Sequence, residues 1–286
     1  MVIIHRNPTV ADTIFEVGPT GSPEAHRSYE AGNLLVLRGL KVDADFAFLD
    51  AMQVGGEENK HKKFFLTHPQ HYALERNRDV EWRDFRRLAF PHTWSGRRAY
   101  RYFRAQVLSV NTQIAEIARR VFPRYRTHAQ MIAWKFQHVR GENLHIDNID
   151  QCERWARLRI FVNLGRSARI WAISHHLRKF ADDHFEAAGL ARYADKPYEF
   201  NQTLSAVAFG ESQKAALSAA PRHYLYFEPG EVWFLNSMVS AHQVLYGTRA
   251  AIATFPFSYD DYECPDEALP RIVDHLCRAR ARMTTT

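Results

Sequence analysis

Six short runs rich in β-branched and aromatic residues, at 131–138, 157–164, 169–174, 223–227, 231–236 and 249–257, constrain this chain more than any other feature. Each is bounded by turn-forming residues and is too short for an independent helix, so the runs read as β-strands. Alternation supports this. Leu158, Ile160, Val162 and Leu164 fall on one side of a strand, and Arg159, Phe161 and Asn163 on the other. Several such strands in succession predict a sandwich or barrel.

The remainder packs around that core. Leu34-Leu35-Val36-Leu37 reads as a further buried strand after the turn-forming Gly32-Asn33. Val107, Val110, Ile114, Ile117 and Val121 recur at helical spacing until Pro123 ends the run, which predicts a helix over 98–121. Residues 175–220 interrupt the strands with alanine-rich helical and loop sequence, a candidate lid. Residues 266–283 predict a basic helix with Leu269, Ile272, Val273 and Leu276 inward. The expected fold class is mainly β with flanking helices, in one domain over 1–286. Its parts are a helical, basic support region at about 1–125, a β-core at about 126–258 carrying the insertion, and the C-terminal helix.

Composition limits the setting. At 46% hydrophobic and 13% aromatic residues the chain can fill a substantial core. No apolar run is long enough to predict a membrane-spanning helix. The first residues lack the apolar region of a secretion signal, and Cys152, Cys264 and Cys277 form no paired motif. A reducing compartment, the cytoplasm, is therefore expected. The net charge of +6 is local, because nine arginines between Arg76 and Arg104 face only Asp79, Glu81 and Asp84. With Trp82, Phe85, Phe90, Trp94, Tyr100 and Tyr102 interleaved, the segment predicts either a solvated face or a landing patch. The partners that suit such a patch are an anionic membrane surface, a sugar acid or a nucleic acid.

The chemistry sits in two segments about a hundred residues apart, Leu144-His145-Ile146-Asp147 and Ser240-Ala241-His242-Gln243. Together they offer two imidazoles and a carboxylate, the ligand set of a non-haem iron site with positions left open for a co-substrate and dioxygen. In a chain with 15 histidines an HxD match arises easily by chance, and His184-Phe185-Glu186 is a rival. Context separates them. His145 follows a strand and the turn Gly141-Glu142-Asn143, and positions i and i+2 of extended chain share a face. His184 lies in sequence that looks helical, where such positions diverge. His242 is expected after a short loop, ahead of a turn at Gly247-Thr248 and the last strand.

An oxygenase of this type also anchors the far carboxylate of 2-oxoglutarate, a task that suits the planar fork of arginine. Arg159, beside Phe161 in an apolar strand, is expensive to bury without a partner. It is the first candidate anchor, with Asn163 as a polar helper on the same side. Arg249 and Arg169 are its rivals.

These residues resemble the Kdo hydroxylases, iron(II)/2-oxoglutarate oxygenases that act on 3-deoxy-D-manno-oct-2-ulosonic acid of lipopolysaccharide. The shared stretches are Glu30-Ala31-Gly32, Leu144 to Asp147, Leu158 to Asn163, Arg169-Ile170-Trp171, Pro229 to Trp233, Ser240 to Gly247 and Thr254-Phe255. They cover residues 28 to 258, loosely in the first third. The resemblance implies a double-stranded β-helix, or jelly-roll, core with His145, Asp147 and His242 as iron ligands. It favours Arg159 as anchor, with Fe(II), 2-oxoglutarate and O2 as the cofactor set. After the HxD, where the family pattern has alanine-phenylalanine and a loop bearing proline and arginine, this chain runs Asn148-Ile149-Asp150-Gln151-Cys152-Glu153-Arg154-Trp155. The iron chemistry therefore carries over and the substrate does not. The expected substrate is a small polar molecule, with a Kdo-like sugar acid, free or on a glycolipid, ahead of a free amino acid or natural product. Peripheral contact with the inner membrane goes with the glycolipid case. A non-catalytic β-barrel that binds a sugar or a partner is the alternative of another class. Nucleic-acid dealkylation is disfavoured, since Gly247 to Ile252 lacks the arginine and asparagine pattern such enzymes carry after the distal histidine.

Overall fold

A computed structural model describes residues 2–51, 63–65, 96–210 and 219–283. Most of the arginine-rich segment, 76–95, lies outside the described residues. In chain order the elements are β1 (Ile3–His5), β2 (Ile14–Val17), α1 (Ala25–Glu30), β3 (Leu34–Lys41), α2 (Phe46–Ala51), β4 (Lys63–Phe65) and α3 (Arg97–Val121). There follow β5 (Met131–Arg140), β6 (Trp155–Asn163), β7 (Arg169–His176), α4 (Leu177–His184), α5 (Pro197–Phe209), β8 (His223–Phe227), β9 (Glu231–Phe234), β10 (Ser240–Ser258) and α6 (Leu269–Met283).

The strand β10 organises the rest. Its first part, Ser240 to Tyr246, pairs with β7, and its second, to Ser258, pairs with β5 and β6. One strand thus serves two sheets. Ladder bonds link all ten strands, and β10 divides them into a smaller sheet, β1-β8-β7-β10, and a larger one of β4, β5, β10, β6, β9, β3 and β2. All pairs are antiparallel except β2 with β3. The chain crosses from the larger sheet to the smaller between β6 and β7 and returns between β8 and β9, and β10 spans both, as in a jelly roll. The sequence leads one to expect a turn at Gly247-Thr248, but the chain continues instead. A register shift against β5 between Gly247 and Arg249 absorbs the bend, and ladder bonding resumes on the other sheet.

Strand alternation places the core. Ala156, Leu158, Ile160 and Val162 of β6 pack with Ala251, Ala253 and Phe255 of β10 beneath α3. The helix meets them with Phe103, Val107, Val110, Ile114, Ile117 and Val121, the stripe its spacing predicts. Phe161 points the other way, into the space between the sheets, with Trp171, Leu225, Phe227, Trp233 and Ile252. The N-terminal region, expected as helical support, also contributes strands, of which β2 and β3 extend the larger sheet. The insertion is mostly helical, and with α6 it forms a third apolar cluster that reaches Leu144, Ile146, Met238 and Ala241. It is tied to both ligand-bearing segments. Asn143 donates to the Phe209 carbonyl and Asn201 to that of Met238, each at 2.8 Å. Among the described residues no helix is long and apolar enough to cross a membrane, and all three cysteines are free.

Tyr29, on α1, fixes the end of β6 nearest the HxD segment. Its buried hydroxyl donates to the Arg157 carbonyl at 2.6 Å and accepts from the Arg159 N–H at 2.9 Å. Tyr29→Phe leaves these groups unpaired in a dry site and is expected to lower stability by about 1–3 kcal/mol. Urea unfolding measures this, and an unshifted midpoint would show that the hydroxyl contributes nothing.

Candidate metal centre

His145 and His242 lie side by side because their backbones form a two-way bridge, with N–H···O distances of 3.0 and 2.9 Å. Two residues on, the Asp147 N–H donates to the Ser237 carbonyl at 2.8 Å, which keeps the HxD segment extended and turns both its ligands inward. The donor atoms of His145, Asp147 and His242 all lie within 4.8 Å of one another. Nε2 of His145 is 3.8 Å from Oδ1 of Asp147, and Nε2 of His242 is 3.6 Å from Oδ2.

Proton positions complete the picture. Nδ1 of His145 is 2.8 Å from the Asn143 carbonyl, and Nδ1 of His242 is 3.2 Å from that of Ser240. A carbonyl only accepts, so each Nδ1 carries the hydrogen and each Nε2 offers its lone pair to the centre. Burial, aided by the neighbouring His145, pushes the His242 pKa down to about 3 and keeps the ring neutral. Burial alone would raise that of Asp147. The Arg159 guanidinium and the two imidazoles outweigh it and hold the carboxyl well below the usual carboxylate range. Two imidazoles, each with Nδ1 turned to a carbonyl, and an ionised carboxylate at this spacing fit a divalent ion at bond lengths of about 2.0–2.2 Å. The rival His184 is the last residue of α4 and has no place in this group.

The other singled-out residues divide by face. Arg159 points between the sheets. Its guanidinium bonds to the Asp147 carboxylate, donates to Ser237 Oγ at 3.0 Å and lies 5.1 Å from the Phe161 ring. Asn163 points the same way but is committed locally. It donates to the Ser167 and Phe227 carbonyls and accepts from the Gly165 N–H, which braces the β6–β7 turn. Arg249 falls on the helix-covered face of β10, where it donates to the Leu49 and Asp50 carbonyls and lies over Phe136. It does not reach the metal group. Arg169 shares the interior face of β7 with Trp171 and Ile173. It is 2% exposed, packs across Gly247, and has no hydrogen-bond or ion-pair partner among the described residues. Burial lowers its pKa to about 10, against the pull of Glu142.

Two features of the site carried no sequence signal strong enough to single them out. Trp171 stacks on His242 at 5.3 Å with rings 16° from parallel. Ser237, in the loop between β9 and β10, binds both Arg159 and the HxD backbone. The interior also collects unpaired donors, since Nε of Arg159 and Nε1 of Trp171 and Trp233 are buried without an acceptor. It opens on one side. Met131, Ala133, Ile252 and Thr254, on the interior face, keep 8–9% exposure, while Ile132, Trp134, Ala251 and Ala253 beneath the helix keep none. An acceptor-rich anion entering from that side would satisfy the donors.

No family model matches the chain, and no curated protein matches it either. Among solved structures it is similar to the apo form of the Kdo hydroxylase KdoO, a non-haem Fe(II) α-ketoglutarate-dependent dioxygenase. The TM-score is 0.64 at 14% identity over 93% of this chain and 96% of that one. The complex of KdoO with succinate and Fe(III) gives 0.65, and that with α-ketoglutarate and Fe(III) gives 0.64, at the same identity and coverage. At this identity the likeness is one of fold, and it agrees with the jelly-roll core that the resemblance in sequence implies.

If the three side chains act as a ligand set, His145→Ala, His242→Ala and Asp147→Asn each lower Co(II) affinity by about 100-fold or more, beyond what loss of an outer contact costs. Asp147→Asn is also expected to lose about 3 kcal/mol of stability, since it leaves Arg159 facing a neutral amide. Co(II) titration followed by absorbance, alongside thermal melts, checks both. Unchanged affinity in folded variants would remove these residues from the site.

Proposed function

We propose that this protein is an Fe(II)/2-oxoglutarate-dependent hydroxylase acting on a small polar substrate, with a Kdo-like sugar acid as the first candidate. The convergence of His145, Asp147 and His242, with both Nε2 lone pairs turned to one carboxylate, carries the reading. The jelly-roll fold shared with KdoO supports it. A retained carboxylate at Asp147 favours hydroxylation, because halogenating relatives of such enzymes put a small residue there. Bound iron, 2-oxoglutarate and dioxygen would supply the oxidising power, replacing an unactivated C–H hydrogen by hydroxyl while the co-substrate becomes succinate and carbon dioxide.

The chain's own residues hold and orient. His145, Asp147 and His242 would hold the metal, and the Trp171 ring steadies His242. Arg169 is the best seat for the distal carboxylate of the co-substrate. It lies in the barrel interior on the same face as Trp171, is almost fully buried and has no acceptor among the described residues, a state that is costly until an anion fills it. Arg159 already has an anion in Asp147. The aromatic layer of Phe161, Trp171, Phe227 and Trp233 excludes water behind the centre.

Substrate-independent conversion of 2-oxoglutarate to succinate, dependent on added Fe(II), tests the class. Asp147→Asn is expected to abolish it. Arg169→Gln is expected to raise the half-saturating 2-oxoglutarate concentration roughly 10- to 100-fold. If Arg159→Gln raises it and Arg169→Gln does not, the anchor is Arg159. If the folded, iron-loaded wild type makes no succinate with or without Kdo-bearing glycolipids, free sugar acids or amino acids, the binding-protein reading takes over.

A further inference from the structure

Arg159 is placed where a co-substrate anchor and a metal-site residue would be hard to tell apart from sequence. The structure separates them. Its guanidinium bonds to the carboxylate that faces both Nε2 atoms, and to Ser237 Oγ at 3.0 Å. Its side chain is 13% exposed, and Thr254 stands opposite it in the ladder on the open side of the barrel. A full positive charge therefore sits, poorly screened by water, on the same carboxylate that would take a divalent cation.

We infer that Arg159 is a positioning residue that couples metal loading to anion binding through its charge. This rests on the metal reading above. Without metal, Asp147 and Arg159 cancel and the centre is formally neutral. A dication alone leaves two uncompensated charges in a low-dielectric pocket beside a guanidinium that repels it. A dianionic 2-oxo acid brings one carboxylate to the metal while its other carboxylate answers Arg169, so it relieves part of that excess at both places. The arrangement weakens metal binding by itself and strengthens it when the dianion is present, each ligand raising the affinity of the other by the same factor. Had Arg159 served only to orient Asp147, its removal would loosen the metal, as loss of an outer hydrogen bond to a ligand does. The charge argument predicts the reverse.

The test is titration of the full-length, metal-free protein with Co(II) or Mn(II) under anaerobic conditions, with and without 2-oxoglutarate, for wild type, Arg159→Gln and Arg159→Lys. In the glutamine variant the metal alone is expected to bind about tenfold more tightly, and the enhancement by 2-oxoglutarate to shrink by a similar factor. The lysine variant, which keeps the charge, should stay within a few-fold of wild type. Tighter binding is an outcome that damage to the fold does not produce. Metal binding in the glutamine variant that is equal to or weaker than wild type, or an undiminished enhancement, overturns the inference while leaving the metal site in place. Failure of the wild type to bind metal would instead overturn the proposed function.

Discussion

The half-buried carboxylate of Asp147 is the charge on which the interior of this protein depends. It is surrounded by two imidazoles, a guanidinium and a hydroxyl, and among the described residues no second carboxylate lies within ion-pair distance of Arg159. Desolvation of such a group is expensive, and attraction to Arg159 offsets it. The pairing explains why an arginine can sit beside Phe161 on the interior face of β6. It also keeps the carboxylate ionised, while burial keeps His242 neutral, in the forms a metal requires. Stability and function draw here on one set of contacts.

The backbone that delivers those side chains is equally economical. Because β10 belongs to both sheets, a single strand carries His242 in one and lines the open side of the interior with Ile252 and Thr254 in the other. The HxD segment needs no long ladder of its own. A two-way bridge to His242 and one bond to Ser237 align it. The insertion and α6 cover the back of the HxD and His242 segments, so the candidate ligands are backed by packed structure even though they lie in short, irregular stretches.

Much of this is legible in the sequence, for identifiable reasons. Strands announce themselves when one face is uniformly apolar, as with Leu158, Ile160 and Val162, and α3 does so through its stripe. The facing of Arg159 and Phe161 follows from the same parity. What escapes the sequence depends on partners far away in the chain. Gly247-Thr248 has turn composition, yet pairing with β5 and β6 keeps the strand running through it. Alternation along the unbroken strand then puts Arg249 with Ala251 and Ala253 on the helix-covered side, opposite His242. Asn163 looks like a ligand contact by facing alone, but two hydrogen bonds within its turn and a third to the Phe227 carbonyl consume it. Arg159 was recognisable as a cation in need of an anion. That Asp147 supplies one becomes visible only when the two segments meet.

The measurement that bears most directly on the account is an anaerobic optical titration of the metal-free protein with Fe(II) and then 2-oxoglutarate. The account predicts a weak visible charge-transfer band that needs both additions and is absent from His145→Ala and Asp147→Asn. A folded, iron-exposed protein that develops no band, or a band unaffected by those substitutions, would contradict it.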